Sequence, residues 1–357
     1  MRFRMEIKDY HVIGLMSGTS LDGMDLVYVH FSYKNEWNFD IKAAQTFPYS
    51  REWVSTLQTI ITKSRQEIEQ CESEFVALIA ATVKTFCANY ALKNIDAVCS
   101  HGHTLFHEPE KGLTFQMGNQ PQLAQLLGLP VVCDFRKQDV NYGGQGAPLV
   151  PIGDALLFKK FSSCLNLGGF ANVSFSKNKK TIAFDIGAVN TVLNLLAQQL
   201  NKPFDEGGKL ARSGQCITPL MARLNAIDFY QKKPPKSLGI EWVNAVVMPL
   251  LVEFNTSKTE DLLTTYTLHI AKQIGQQFKK ADTVLVTGGG AKNTYLLECI
   301  KKNSEAQFIL PEDEIIDFKE ALIFGFLGVL RLRNEINCLA SVTGASKDHS
   351  SGTIFYP

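Results

Sequence analysis

The sequence predicts an α/β protein built from two domains. Its 357 residues exceed the usual length of one domain, about 150 residues, and 45% of them are hydrophobic. An apolar strand, a turn containing glycine and a second apolar strand occur in residues 11–32 and again in residues 164–175. Short apolar segments also alternate with segments of helical spacing, which is typical of α/β folds with mostly parallel sheets.

In the first half, helical spacing extends from about Arg51 to Leu92, and an apolar strand begins at Ala97. A helix at about 121–128 and a strand at 130–134 follow, and then comes a glycine-rich loop at 141–148. These elements predict a first domain that spans residues 1–150.

The second half repeats the order of strand, turn and helix, once from Ile182 and once from Thr283. This pattern predicts a second domain over residues 151–335. The remaining segment, residues 336–357, is expected to pack back on the first domain.

Charge and cysteine usage exclude several classes of protein. The 36 Lys and Arg balance 35 Asp and Glu to a net charge of +1, which argues against a basic surface for nucleic acid. The eight cysteines form no C-x-x-C pair, which argues against a disulfide framework or zinc ribbon and favours a reducing, cytoplasmic compartment. The most apolar run, residues 321–332, is about half the length that a bilayer requires, so no membrane association is expected.

The first candidate site is the turn from Gly18 to Asp25. Its backbone N–H groups and the Thr19 and Ser20 hydroxyls could bind an anion such as phosphate, and Asp22 could hold a magnesium ion through water. The alternative is a plain hairpin turn that needs glycine and an Asx turn. The sequence alone leaves both interpretations open.

The second candidate site is Gly288-Gly289-Gly290, which lies between a buried strand and a helix. Three glycines let a ligand approach the backbone closely, although a simple tight turn has the same composition. The chain contains neither a Walker A sequence nor a dinucleotide-binding G-x-G-x-x-G at a first βα turn. Two glycine-rich turns in separate halves therefore favour a nucleotide held in a cleft between domains.

Acidic residues at strand ends form the third candidate. Asp185 ends a strand, where ligands of parallel sheets bind, and could be a general base or the N-cap of the next helix. Arg136 lies close to Asp134 at the end of another strand. Its guanidinium could bind a carboxylate or phosphate through two hydrogen bonds, or neutralise Asp134.

Three clustered histidines, His101, His103 and His107, predict a competing function. Strand alternation would place His101 and His103 on one side, as two ligands of a metal-dependent hydrolase require. The motif H-E-x-x-H is absent, however, and no second group of ligand-like spacing follows. Hydrogen bonding to a substrate or phosphate is the preferred interpretation.

Taken in order, these motifs and several others resemble the anhydro-N-acetylmuramic acid kinases, members of the sugar kinase, heat-shock ATPase and actin superfamily. The resemblance spans essentially the whole chain. It is carried by the segments Gly14–Asp25, Ser100–Pro109, Gly118–Pro121, Asp134–Arg136, Gly143–Pro151, Leu165–Asn172, Thr287–Asn293, Lys319–Ala321 and Val342–Ala345.

The resemblance implies two ribonuclease-H-like, actin-like ATPase domains with an interdomain ATP cleft. It implies a kinase that uses ATP and Mg²⁺ to open 1,6-anhydro-N-acetylmuramic acid hydrolytically and phosphorylate O6 in peptidoglycan recycling. Asp185 would activate the water, and Arg136 and Glu320 would orient the sugar, its lactyl carboxylate or the water. A homodimer is also implied. The residues expected at the nucleotide are Gly18, Thr19, Ser20, Leu21, Asp22, Gly23, Met24, Asp25, Gly168, Gly169, Gly288, Gly289 and Gly290, with Asp22 at the metal.

The chain departs from the family pattern at two places. Asp185-Ile-Gly-Ala-Val-Asn190 stands where the family usually has Asp-Thr-Gly-Pro-Gly-Asn, and Leu238-Gly-Ile-Glu241 replaces Thr-Gly-Arg-Glu. A hydroxyl, a proline and an arginine are therefore missing. These changes permit a different sugar specificity, or a non-catalytic sugar or nucleotide sensor on the same fold.

Overall fold

The computed structural model describes residues 9–18, 20–178 and 180–357. The strands, in chain order, are β1 Asp9–Ser17, β2 Gly23–Tyr33, β3 Trp37–Pro48, β4 Ala97–Glu108, β5 Leu113–Met117, β6 Val131–Cys133, β7 Ser163–Leu167, β8 Phe170–Lys177, β9 Lys180–Ala188, β10 Thr283–Thr287, β11 Gln307–Ile309 and β12 Thr353–Phe355.

The α-helices are α1 Arg51–Thr59, α2 Arg65–Asn89, α3 Pro121–Leu127, α4 Lys137–Asn141, α5 Val150–Leu157, α6 Asn190–Gln198, α7 Lys209–Ser213, α8 Thr218–Asn225, α9 Ile240–Trp242, α10 Met248–Val252, α11 Thr259–Gly275, α12 Thr294–Lys302, α13 Asp313–Leu332 and α14 Ala340–Thr343. A π-helical turn, Val243–Val247, joins α9 to α10. Among the described residues, no helix is both long and apolar enough to cross a membrane.

The chain divides into two compact units. Unit 1 contains the residues up to Leu157 together with Phe318–Pro357, and unit 2 contains Phe158–Asp317. The predicted second domain, residues 151–335, is therefore too long at both ends. The reason is packing, because α5 and most of α13 belong to unit 1. Gly153 of α5 lies against Ile323 of α13, and a Cβ on this glycine would be only 2.8 Å from the isoleucine side chain.

The sheet of unit 1 has the strand order β12-β6-β4-β1-β2-β3, with β5 paired to β4. Strands β1, β2 and β3 form an antiparallel meander, and β4 and β6 continue the sheet parallel to β1. The C-terminal strand β12 adds to β6 in the antiparallel direction. Residues 336–357 thus contribute a strand to unit 1.

The sheet of unit 2 has the order β11-β10-β7-β8-β9. Here too an antiparallel meander, β7-β8-β9, continues through two strands that run parallel to its first member. The two units therefore share one strand topology, which agrees with the ribonuclease-H-like domains that the family resemblance implies. The expectation of mostly parallel sheets is wrong, because each hairpin predicted from a glycine turn necessarily makes an antiparallel pair.

The segment of helical spacing from about Arg51 to Leu92 forms two helices, α1 and α2. Ser64 begins α2 with a capping box: its hydroxyl oxygen accepts from the Glu67 N–H, and the Glu67 carboxylate accepts from the Ser64 N–H. One face of α2 then packs with β1, β2 and β4 in the hydrophobic core, through residues that include Phe75, Ile79 and Phe86.

Helix α13 approaches the first strand at backbone distance. A Cβ on Gly14 of β1 would lie only 2.0 Å from the carbonyl oxygen of Ala321, so no larger residue fits there. Two residues before the apolar part of α13, Lys319 Nζ pairs with the Asp154 carboxylate of α5 at 2.8 Å, with both side chains buried. These contacts fix Glu320, the residue between Lys319 and Ala321, relative to the β1–β2 turn.

We expect Lys319→Met to destabilise the protein strongly. The substitution deprives the buried Asp154 carboxylate of its cationic partner, a loss that typically costs about 3–5 kcal/mol. Urea denaturation followed by circular dichroism measures the effect. The double variant Lys319→Met/Asp154→Asn removes the charge as well and should recover part of the loss, whereas an equal or larger loss would contradict this account.

Candidate functional site

The β1–β2 turn is the first predicted anion site. Leu21 adopts a left-handed conformation with φ 60°, and its N–H points to the Gly18 carbonyl at 3.4 Å. Ser20 and Asp22 are exposed in this turn, so their oxygens are open to a ligand. Thr19 lies outside the described residues.

The start of β2 differs in character from the turn. Gly23 is buried, and the Met24 side chain belongs to the hydrophobic core, so either can reach a nucleotide only through its backbone. Asp25 is half-buried, and its Oδ1 accepts a hydrogen bond of 2.6 Å from the Thr46 hydroxyl. Of these three residues, Asp25 alone offers a functional side chain.

Glu320 lies in the electrostatic field of two residues predicted at the site. Burial by the surrounding protein raises the pKa of Glu320, Arg136 lowers it, and the Asp25 carboxylate raises it. The side chain nevertheless has much exposed surface, so solvent screening moderates the shift. Asp25, Arg136 and Glu320, three residues that the sequence predicted for the site, thus lie within range of electrostatic interaction in unit 1.

Arg136 is held by two acceptors. Its Nε donates to His101 Nε2 at 2.9 Å, and its Nη1 donates to the Gly146 carbonyl at 2.7 Å. Burial lowers the pKa of Arg136 to about 10, so the guanidinium remains a cation at neutral pH. The alternative role of neutralising Asp134 is not supported, because the described residues include no ion pair between the two.

The three histidines have separate partners, which contradicts a shared metal site. Each ring nitrogen Nδ1 bonds a different group: the Gly102 carbonyl, Ser17 Oγ and Thr114 Oγ1 for His101, His103 and His107. Strand alternation misled the prediction, since Gly102 has a left-handed φ of 74° and interrupts β4 between the first two histidines. His101 Nε2 is also taken by Arg136.

Within the described residues, a single group of donors has ligand-like spacing: Asp139, Cys338 and His349, all buried. Asp139 Oδ1 already accepts from Cys338 Sγ at 3.0 Å and from the Thr343 hydroxyl at 2.7 Å. His349 Nε2 lies 3.7 Å from the same oxygen. These contacts explain the cluster as a hydrogen-bonded anchor for the C-terminal segment.

In unit 2 the two predicted glycine turns lie side by side at the carboxyl ends of two neighbouring strands. They follow β7 and β10, which are neighbouring parallel strands in which Asn166 pairs with Thr287. The carbonyls of Gly168 and Gly169 accept from the N–H groups of Asn190 and Val189, at 3.3 and 2.7 Å. The β7–β8 turn is thereby joined to the N-terminus of α6.

The second turn, Gly288–Gly290, is followed by a helix as predicted, after a short connection. Residues Gly289–Lys292 form a short 3₁₀ turn, and α12 begins only at Thr294. Its N-cap is Asn293, whose Oδ1 accepts from the Leu296 N–H at 3.0 Å. An anion bound at the carboxyl ends of these strands would therefore contact the glycine backbone and not the N-terminus of α12.

Asp185 is half-buried on β9, three residues before the strand ends at Ala188. The alternative that it caps a helix is wrong, since the N-cap of α6 is Val189. Its Oδ2 accepts from the Leu238 N–H at 2.8 Å, and its own N–H donates to the Lys236 carbonyl at 3.0 Å. Burial raises the pKa of Asp185, and the bond from Leu238 lowers it.

Three polar residues have roles in these arrangements that the sequence did not predict. His101 was predicted to bind a metal or, preferably, a substrate or phosphate, and not to accept from Arg136. Neither Asp139 nor Asn190 was a candidate. Asn190 Nδ2 donates to the Leu167 carbonyl at 3.2 Å and so joins α6 to β7. Asp139 could have been noticed as a charged residue one helical turn after Arg136.

Comparison with known proteins identifies a family. The family model described as anhydro-N-acetylmuramic acid kinase matches residues 10–357. Proteins of that description from Bacillus cereus (strain 03BB102) and Bacillus thuringiensis (strain Al Hakam) are both 30% identical to this chain, covering 97% of it and 99% and 98% of their own lengths. Component A of Acidaminococcus fermentans (R)-2-hydroxyglutaryl-CoA dehydratase aligns with a TM-score of 0.43 and 12% identity, over 88% of this chain and 95% of that one.

Proposed function

Because the chain belongs to the anhydro-N-acetylmuramic acid kinase family, we propose that Asp185, Arg136 and Glu320 perform that family's reaction here. The protein is an ATP-dependent kinase that opens 1,6-anhydro-N-acetylmuramic acid and phosphorylates O6, giving N-acetylmuramic acid 6-phosphate in peptidoglycan recycling. The observation that best supports the residue assignment is the Asp185 carboxylate, half-buried and held through one oxygen.

The reaction demands a positioned base. Water forms a bond to the anomeric carbon, the bond from that carbon to O6 breaks, and O6 takes the γ-phosphoryl group while ADP leaves. The proton of the attacking water must go to an acceptor within hydrogen-bond distance. The products are ADP and the 6-phosphate of the opened sugar.

Asp185 meets this demand. The Leu238 N–H binds Oδ2 and orients the carboxylate, and Oδ1 is the oxygen we assign to accept the proton from water. Burial makes the carboxylate more basic, which favours proton transfer at neutral pH. The residues after Asp185 that differ from the family pattern lie on β9 and at the N-cap of α6, and the carboxylate itself is kept.

Arg136 and Glu320 are assigned to the sugar. Arg136 is a half-buried cation with a rigid fork of donors, suited to the lactyl carboxylate of an N-acetylmuramic acid. Glu320 offers an acceptor for a sugar hydroxyl or the attacking water, and its negative charge beside Arg136 helps fix the orientation of both.

The protein uses ATP. We assign its phosphates to the two hairpin turns, through the backbone of Gly18 to Asp25 and of Gly168 and Gly169, and its nucleoside to Gly288–Gly290. The exposed Asp22 oxygens suit Mg²⁺, a cation that prefers carboxylate and water ligands. When bound, Mg²⁺ would neutralise charge that develops on the phosphates during transfer.

A cytoplasmic location is part of the proposal. Each of the eight cysteines, all within the described residues, is a free thiol, which suits a reducing compartment. The homodimer implied by family resemblance stays a prediction, which sedimentation of the purified protein would test.

The proposed function is tested by ADP release in the presence of Mg²⁺ and a panel of sugars. We expect release with 1,6-anhydro-N-acetylmuramic acid and little with N-acetylglucosamine or N-acetylmuramic acid, which have no anhydro ring. Preference for a sugar without that ring would contradict the proposal. Binding of ATP and anhydro-sugar without ADP release would instead indicate a sensor.

The pH dependence of kcat/KM gives a further prediction. A base must be deprotonated, and burial raises the pKa of Asp185 above the ordinary 3.8. Activity should therefore rise with pH through the raised pKa, so the acidic limb lies above the range of an exposed aspartate. A profile that stays flat down to about pH 4 would contradict the assignment.

A further inference from the structure

We propose that His101 is a positioning residue that fixes the Arg136 guanidinium so that only its terminal Nη groups meet the substrate carboxylate. The inference rests on the proposed role of Arg136 in binding the sugar. It gives this histidine a role in the kinase reaction that differs from both metal ligation and direct hydrogen bonding to the substrate, the two interpretations that the sequence offered.

The hydrogen bonds of His101 determine its tautomer. Its Nδ1 lies 2.8 Å from the Gly102 carbonyl oxygen, which can only accept, so Nδ1 carries the proton. The unprotonated Nε2 then accepts from Arg136 Nε at 2.9 Å. Burial, with a smaller contribution from Arg136, holds the pKa of His101 well below 6.5, which agrees with a neutral ring beside a cation.

The ring itself cannot turn away from Arg136 without losing its packing. His101 is 2% exposed, and its ring centroid lies 4.5 Å from that of Phe324 on α13. The Asn119 side chain also donates to the His101 carbonyl at 3.2 Å, which anchors the backbone beneath the ring. The acceptor for Arg136 is therefore preorganised.

A second support holds the other side of the guanidinium. The Gly146 carbonyl accepts from Arg136 Nη1 at 2.7 Å, and the Gly146 N–H donates to Asp139 Oδ2, also at 2.7 Å. Asp139 is fully buried and is anchored in turn by Thr343 and Cys338. The C-terminal segment of the chain thus reaches Arg136 through three hydrogen bonds in series, from Thr343 to Asp139, from Gly146 to Asp139 and from Arg136 to Gly146.

Together these contacts determine which N–H groups of Arg136 remain available to a substrate carboxylate. Of the five N–H bonds of an arginine, His101 takes the one on Nε and Gly146 takes one on Nη1. Among the described residues, Nη2 has no hydrogen-bond partner. A carboxylate can therefore accept side by side only from Nη1 and Nη2, in one orientation.

Two substitutions separate positioning from simple support of the fold. In His101→Gln, the amide oxygen takes the approximate place of Nε2 and can still accept from Arg136. In His101→Asn, the amide nitrogen takes the approximate place of Nδ1 and can still donate to Gly102, but the acceptor for Arg136 is lost. The pair removes one hydrogen bond at a time from the same buried site.

We expect His101→Asn to raise the KM for the anhydro-sugar by about tenfold or more, as loss of a hydrogen bond to a charged group predicts. The KM for ATP should stay within about twofold, and His101→Gln should retain most of the wild-type sugar KM. Equal effects of the two variants, or equal changes in both KM values, would overturn the proposal.

A spectroscopic readout keeps this test separate from the proposed function. In protein labelled with ¹⁵N at arginine Nε, the Arg136 Nε–H resonance should exchange slowly with solvent in wild type and His101→Gln, and rapidly in His101→Asn. Unaltered exchange in His101→Asn would overturn the positioning role. Absence of sugar turnover in the wild type would instead overturn the proposed function, whatever the exchange rates.

Discussion

Replacing Asp185 with Asn is expected to lower turnover of the anhydro-sugar by about 10² to 10⁴-fold while the protein stays folded. Asparagine is nearly isosteric, and its amide oxygen can still accept from the Leu238 N–H. It cannot take a proton from water, so the loss reports the missing base and not a change in the local backbone geometry. Single-turnover measurement of ADP formation would show the effect on the chemical step.

Asp134→Asn is the matched control for this variant. Asp134 is also half-buried at a strand end, and burial raises its pKa as well. Its left-handed φ of 59° is a conformation that asparagine tolerates. We expect turnover close to wild type in Asp134→Asn. Near-normal activity in Asp185→Asn, or an equal loss in both variants, would remove Asp185 from the role of base.

Arg136→Lys is expected to reduce kcat/KM for the anhydro-sugar by about 10² to 10³-fold, with the KM for ATP little changed. Lysine keeps the positive charge but has no Nε donor for His101 and no planar fork for a carboxylate. The loss would therefore measure geometry at constant charge. Steady-state kinetics with each substrate varied in turn would give the two constants.

The control for this variant is Arg331→Lys on α13. Arg331 also donates from Nε to a backbone carbonyl, that of Gly352, at 2.7 Å. It has no assigned contact with substrate, so its kcat/KM should remain near wild type while its stability falls modestly. If Arg136→Lys raised the KM for ATP as much as the KM for the sugar, a role confined to the sugar would be wrong.

Local sequence patterns predicted the elements whose structure depends mainly on residues close together in the chain. The hairpin of residues 11–32 and the one of residues 164–175 are confirmed, because glycine turns between apolar strands leave little alternative. The division of the segment after Arg51 into two helices was missed, although Ser64 and Glu67 carry the capping box that causes it. Hydrophobic periodicity alone does not indicate that a second helix begins here.

Long-range packing explains what the sequence could not show. The domain boundary was misplaced because α13 belongs mostly to unit 1, and the contact of Gly14 with Ala321 joins residues far apart in the chain. The metal interpretation of the histidine cluster fails because Gly102 disrupts the strand alternation on which that interpretation depended. The partner of His101, Arg136, is also distant in sequence, and no local spacing reveals it.

The measurement that tests the account most directly is the mass of the product formed from 1,6-anhydro-N-acetylmuramic acid, Mg²⁺ and ATP. A kinase that couples ring opening to phosphorylation gives a product heavier than the sugar by one water and one phosphoryl group, with one ADP formed per product. That product should be nearly absent with Asp185→Asn. A product heavier by the phosphoryl group alone, or ADP formed without a phosphorylated sugar, would contradict the account.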